Sequence, residues 1–194
     1  MNRTRLYKYS GGKLDAFSPK RGDFTIDDIA RGIAYRGRWC GQTRKFYSVA
    51  EHSIHVSNKC SEPYKLWGLL HDCGEAFFGD VPAPHKDSLW YHLPDAQGVI
   101  EKSPFVDRED ALLHVVLGMA GAAVVGMPEE VQAADMMVRA WEYRELVCEA
   151  TRDSSTFEPL GPEEALAMWL ARYSALRAVD SGQLTVESEN RLAV

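Results

Sequence analysis

The chain lacks several things that would each have pointed elsewhere. It has no apolar run of transmembrane length, no C-x-x-C pair and no H-E-x-x-H, and its four cysteines, Cys40, Cys60, Cys73 and Cys148, have no disulfide-scaffold spacing. The missing apolar span argues against a membrane protein. Scattered cysteines read as reduced, buried small hydrophobes rather than as zinc ligands. The start, Met1-Asn2-Arg3-Thr4-Arg5-Leu6, carries no apolar leader segment, so a soluble, cytoplasmic chain is expected. Strand signals are nearly absent, and there is no repeat or low-complexity tract, which leaves an all-α fold class.

What is present is enough for one core. With 194 residues, 45% of them hydrophobic and 26% charged, the chain is read as a single domain spanning 1–194. The net charge of −6 is unevenly spread: residues 1–45 hold eleven Lys and Arg against four Asp and Glu, and the remainder holds eleven against twenty-four. An acidic chain without a long basic run excludes a general nucleic-acid-polymer binder and suits a small anionic ligand. Arg36, Arg38, Arg44 and Lys45 lie just upstream of His52 and are candidate phosphate contacts, or simply a solvated basic surface.

Local signals order the helices. Residues 1–25, with Gly11-Gly12, Pro19 and Gly22, predict irregular structure or a short hairpin, followed by a helix from Ile26 to Tyr35. Ser48 and Glu51 form a capping-box pattern that opens a helix to about residue 60, and Pro63 opens the next, to about residue 76. Gly79-Asp80-Val81-Pro82-Ala83-Pro84 then makes a stiff loop. Further helices are predicted from Asp107 to Val125, from Pro128 toward Glu149, and from Gly161-Pro162 to about Ala178, the last with an apolar face at Leu166, Trp169, Leu170 and Tyr173. The segment 181–194 reads as a frayed polar tail.

The chemistry concentrates at His71-Asp72 and Glu75, placed directly after the apolar run Leu66-Trp67-Gly68-Leu69-Leu70. An unpaired buried carboxylate costs several kcal/mol, and coordination of a cation removes that penalty. Imidazole nitrogen and carboxylate oxygen suit zinc, cobalt, manganese, magnesium or iron, and a hydrolytic site leaves a position open for water. On one helix Glu75 would follow His71 by four residues and Asp72 by three, sharing their edge. His52, in the first turn of the preceding helix, can face His71 across a helical hairpin. The competing reading is a hydrogen-bonded core histidine and ordinary ion pairs. His55 could pair with His52 but is read as structural, as are His92 and His114; His85 could reach phosphate or solvent; Phe77, Phe78 and Trp90 could line a base pocket or only pack.

With His52, His71-Asp72 and Asp135 in this order, the chain resembles the HD-domain phosphohydrolases. The block His71-Asp72-Cys73-Gly74-Glu75-Ala76, then Gly79-Asp80-Val81-Pro82-Ala83-Pro84 and Lys86, is similar to that of bacterial 5'-deoxynucleotidases and their phage relatives, the dATP triphosphohydrolases. Arg38-Trp39, Phe46-Tyr47-Ser48-Val49-Ala50-Glu51-His52-Ser53 and Ala134-Asp135 match the same group, so the resemblance covers roughly residues 10–180.

The resemblance implies an HD-domain helical bundle in which His52, His71, Asp72 and Asp135 ligate one divalent cation. It implies that Glu75 positions or deprotonates water, that Asp80 acts beside it, that Arg38 and Lys86 neutralise phosphate, and that Trp39 belongs to the nucleoside pocket, excluding a ribose 2'-hydroxyl. The expected activity is hydrolysis of a free deoxynucleotide, first of all dATP to deoxyadenosine and triphosphate, by a self-associating protein. A 5'-deoxynucleotidase, a cyclic- or signalling-nucleotide phosphodiesterase and a non-catalytic nucleotide-binding module are the alternatives.

Overall fold

The computed structural model describes residues 5–15, 17–94, 100–151 and 154–180, and they are mostly helical, with 59% helix and 7% strand. Near the amino terminus β1 (Arg5–Tyr7) and β2 (Lys13–Asp15) pair antiparallel, Leu6 opposite Leu14, through the glycine turn read from sequence. The hairpin is pinned to α1 (Ile26–Ala34) by Asp28, whose carboxylate accepts from the Ser10 amide and hydroxyl at 2.8 Å each. Asp28 also completes a capping box with Thr25, so one buried acid both starts the helix and anchors the hairpin.

α2 (Val49–Lys59) begins at Ser48, whose hydroxyl accepts from the Glu51 amide. Only half of the expected box forms there. The Glu51 carboxylate instead accepts from the Leu160 amide at 3.0 Å, which ties α2 to the segment leading into the last helix. α3 (Glu62–Leu70) packs tightly on α2, and its Gly68 is what permits this, because a Cβ there would stand 2.9 Å from the Cys60 sulfur.

The expected helix to residue 76 is corrected: α3 stops at Leu70, and residues 71–74 form a tighter turn before α4 (Glu75–Phe78). In that turn the amides of Cys73, Glu75 and Ala76 bond three residues back rather than four. Tightening frees the carbonyls of Gly68 and Leu69. The first accepts from His71 Nδ1 at 2.7 Å, the second from the indole of Trp169 at 3.3 Å. The helix end is therefore satisfied by side chains instead of by further helix.

The rest differs from expectation in its boundaries and in one hairpin. A short α5 (Ala83–Lys86) follows the Gly79–Pro82 loop, and β3 (Trp90–Pro94) pairs antiparallel with β4 (Ile100–Pro104), a strand pair absent from the sequence reading. An all-α description is thus corrected to mostly α. The aromatic start Trp90-Tyr91 carries the local reason. α6 (Phe105–Ala120) starts earlier than expected and ends at Gly121, which takes up a left-handed conformation, rather than at Val125. α7 (Glu129–Glu142) gives way to a widened turn over Tyr143–Val147, short of Glu149. α8 (Pro162–Asp180) contributes the fully buried Trp169 to a core shared with Ile33, Val56, Leu70, Leu117 and Val138. No described helix is long and apolar enough to cross a membrane, and the tail 181–194 lies outside the described residues.

Candidate metal centre and its cleft

Four side chains from three parts of the chain meet at one point: His52 from α2, His71 and Asp72 from the turn after α3, and Asp135 from α7. His52 Nε2 lies 3.3 Å from His71 Nε2, 3.1 Å from Asp135 Oδ1 and 3.5 Å from Asp72 Oδ2, and His71 Nε2 lies 3.2 Å from Asp72 Oδ2. All four residues that the resemblance implies as ligands are brought together.

The tautomers follow from the other ring nitrogens. His52 Nδ1 faces Glu142 Oε1 at 2.5 Å and His71 Nδ1 faces the Gly68 carbonyl at 2.7 Å. A carboxylate and a carbonyl only accept, so each ring donates from Nδ1. Both Nε2 lone pairs then confront each other and two carboxylate oxygens. Four electron pairs in contact repel unless a cation or protons lie between them, and this donor set fits a divalent cation. Among the described residues, His52, His71 and Asp72 offer ligand atoms that lie mutually within 4.8 Å. Without a cation, protons take its place. Burial opposes charging His71, but the Asp72 carboxylate outweighs it and raises the imidazole pKa; burial likewise resists ionising Asp72, yet His71, His52 and Arg38 hold it well below the usual carboxylate range.

Glu142, which the sequence reading passed over, orients the centre from behind. It is fully buried and takes bonds from His52, from Arg38 Nε at 3.3 Å and from the Trp39 indole at 3.0 Å. Burial pushes its carboxyl up, while His52 and Arg38 bring it down to about 2. Its signal was available: Asp135, Arg139 and Glu142 stand at i, i+4 and i+7 of α7, one face of the helix.

Beside the centre opens a cleft of about 570 Å³, lined among others by Arg38, Trp39, Asp80, Lys86 and Arg139. At its rim Trp39 and Cys40 adopt left-handed backbone with φ of 57° and 52°, a conformation costing on the order of 1–2 kcal/mol per non-glycine residue. The turn is held in place by the Trp39 amide, which donates to Asp80 Oδ2 at 3.1 Å, by the indole on Glu142, and by the Tyr143 ring at 6.2 Å.

Glu75 faces the same cleft. Its Oε1 pairs with Lys86 Nζ at 3.0 Å, while its buried Oε2 makes no hydrogen bond. Burial and then the charge of Asp72 raise its pKa well above normal, with Lys86 opposing; a cation on Asp72 would cancel the second cause. Lys86 is shared with Glu109 at 2.8 Å, and burial pushes the Glu109 carboxyl up to about 6. α6 can bring Glu109 this close because residue 74 is glycine: a Cβ there would lie 2.7 Å from Glu109 Cγ.

Two of the expected phosphate contacts are engaged internally. Arg38 is buried and pairs with both Asp72, at 3.2 Å, and Glu142; Lys86 pairs with two carboxylates. The basic segment around them has mainly structural duties, since Arg44 binds the Glu145 and Phe157 carbonyls and the Ser155 hydroxyl, and Lys45 pairs with Glu158. His55 stacks on Tyr47 and meets Trp141 and Phe157 edge-on. Phe77 packs on Phe24 and Phe78 on Phe105 instead of lining the cleft. His114 is exposed on α6, as is His85 on α5, and the His92 side chain lies outside those described.

No protein-family model matches the chain. It is 30% identical over 205 residues to an uncharacterized protein of Rhodobacter capsulatus, a match covering 94% of this chain and 100% of that one. It is 32% identical over 165 residues to the uncharacterized protein YfdR of Escherichia coli, covering 79% and 85%.

Proposed function

The chain belongs to one family with the Rhodobacter capsulatus protein and Escherichia coli YfdR, and from that premise we propose that it is an HD-type, divalent-cation-dependent phosphohydrolase of free deoxynucleotides. The observation that carries the reading is the facing pair of Nε2 lone pairs on His52 and His71 with Asp72 and Asp135 beside them, next to a cleft of nucleotide size. His52, His71, Asp72 and Asp135 would hold the cation, which would neutralise charge on the phosphoryl group and acidify the attacking water.

The chain's own groups supply the rest. Glu75, with one oxygen free of hydrogen bonds and facing the cleft beside Asp72, is placed to take a proton from water and to return it to the leaving group. Asp80 fixes the left-handed turn that presents the Trp39 ring, and Trp39 walls the nucleoside side of the cleft. Arg38 keeps Asp72 and Glu142 ionised and aligned. The substrate that the resemblance puts first is dATP, cleaved to deoxyadenosine and triphosphate. One observation favours a deoxynucleoside monophosphate as a second reading: with Arg38 and Lys86 already paired, the cleft offers little unmatched positive charge for a triphosphate.

The test is a panel of dNTPs and dNMPs incubated with the purified protein and Mn²⁺, Co²⁺, Zn²⁺ or Mg²⁺, the products resolved as nucleoside, triphosphate and orthophosphate. Nucleoside release that disappears in Glu75→Gln is expected. No release from any nucleotide with any metal rejects the proposal.

A further inference from the structure

We infer that Arg139 grips the substrate phosphate, and that a cation on Asp135 frees it to do so; the inference rests on the hydrolase reading above. The register of α7 places Arg139 for this role. At about 1.5 Å of rise per residue, Arg139 lies about 6 Å along the helix from Asp135, and Tyr143 about 12 Å. Asp135 belongs to the metal centre, and the Tyr143 ring packs against Trp39, the wall of the nucleoside side. Arg139 lines the cleft between them, at the place a phosphate would occupy when its oxygens meet a cation at one end and its ester carries a sugar at the other.

Charge leads to the same residue. Three cationic side chains line the cleft among the described residues, and two of them are committed: Arg38 to Asp72 and Glu142, Lys86 to Glu75 and Glu109. Arg139 is half exposed, with a side-chain accessibility of 49%, and the carboxylate it meets is Asp135 Oδ2 at 4.0 Å, the outer limit of an ion pair. Once a divalent cation draws on the charge of Asp135, that contact loses its attraction and the guanidinium can turn to another anion. A planar guanidinium meets two phosphate oxygens in parallel, which an ammonium cannot do.

The experiment uses the full chain in three forms, wild type, Arg139→Ala and Arg139→Lys. Calorimetry measures Mn²⁺ binding first, then the binding of inorganic phosphate and of dAMP to the Mn²⁺-loaded protein. Loss of a charge-assisted contact should weaken phosphate and dAMP binding by roughly 10- to 100-fold in Arg139→Ala, with partial recovery in Arg139→Lys. Mn²⁺ affinity should remain within about threefold of wild type, because the ligands are untouched. In turnover, KM should rise by more than kcat falls. Unchanged phosphate affinity in Arg139→Ala overturns the inference, and so does a loss of Mn²⁺ affinity as large as the loss of phosphate affinity. If the wild type hydrolyses no nucleotide, the hydrolase reading fails by itself, and the phosphate titration still decides the role of Arg139.

Discussion

His52 and His55 stand less than one turn apart on α2 and live in opposite surroundings. His52 is fully buried among ionisable groups, with Glu142 behind it and His71, Asp72 and Asp135 in front. His55 lies in an aromatic cage of Tyr47, Trp141 and Phe157, where its ring works as a flat, moderately polar surface. The sequence offers the same residue type twice; the difference is made by what α7 and the loop before α8 bring to each side of the helix. A histidine becomes a ligand when one nitrogen is fixed by an acceptor and the other is left facing further donors of electron pairs.

The contrast can be broken most forcefully at His52. His52→Ala should lower Mn²⁺ affinity by more than about 100-fold, beyond the usual cost of losing a supporting partner, and nucleotide turnover should vanish with it. Isothermal titration and the product assay measure both. Next in size is Glu142→Gln, which keeps the shape but removes the charge that fixes the His52 tautomer; metal affinity should fall by about 10- to 100-fold with the fold intact by circular dichroism.

Acid sharpens the same comparison. The carboxyl of Glu142 is held at about 2 in the folded protein against an ordinary 4.5, so its contribution is complete above the ordinary value and is lost as pH falls toward 2. Metal-free wild type should therefore lose about 3 kcal/mol more than Glu142→Gln as pH falls across that window, read as a steeper decline of Tm. His71 works in the opposite sense. Its raised pKa stabilises the metal-free fold at low pH, an effect that disappears as pH climbs, and the same proton competes with Mn²⁺, whose affinity should weaken on acidification. The smallest effect is expected at His55→Leu: Mn²⁺ affinity within about twofold and a stability change of about 1 kcal/mol, seen by urea denaturation. A tenfold loss of metal affinity there would erase the distinction between the two histidines.

Part of the centre could be read from residue types, because His71-Asp72 after an apolar run is costly without a cation; Asp135 came only with the family resemblance, whose order it completes with His52. Glu142 was harder to pick out, being one of many acids in the acidic part of the chain; its register with Asp135 and Arg139 on α7 is the signal that singles it out. Arg38 and Lys86 were legible as cations near the site but not as cations already paired, since the pairing with Glu142 and Glu109 depends on how distant helices meet. Helix positions were largely legible, with Ser48, Pro128 and Pro162 marking starts. The end of α3 was not, because the sequence from Leu66 to Ala76 carries no helix-stop signal strong enough to mark it, and the break goes with the His71 ring and the Trp169 indole claiming the carbonyls of Gly68 and Leu69.

That helix end also limits how the gene can vary. Three successive carbonyls, of Gly68, Leu69 and Leu70, go respectively to a ligand ring, to the last helix and to the turn that launches Glu75. An insertion or deletion of one codon between Gly68 and Glu75 would reassign all three at once and rotate His71 away from His52. Length changes should therefore be absent from this stretch in every descendant that keeps the His52–His71 contact, and should be tolerated better between β3 and β4, since His52, His71, Asp72 and Asp135 all lie elsewhere in the chain.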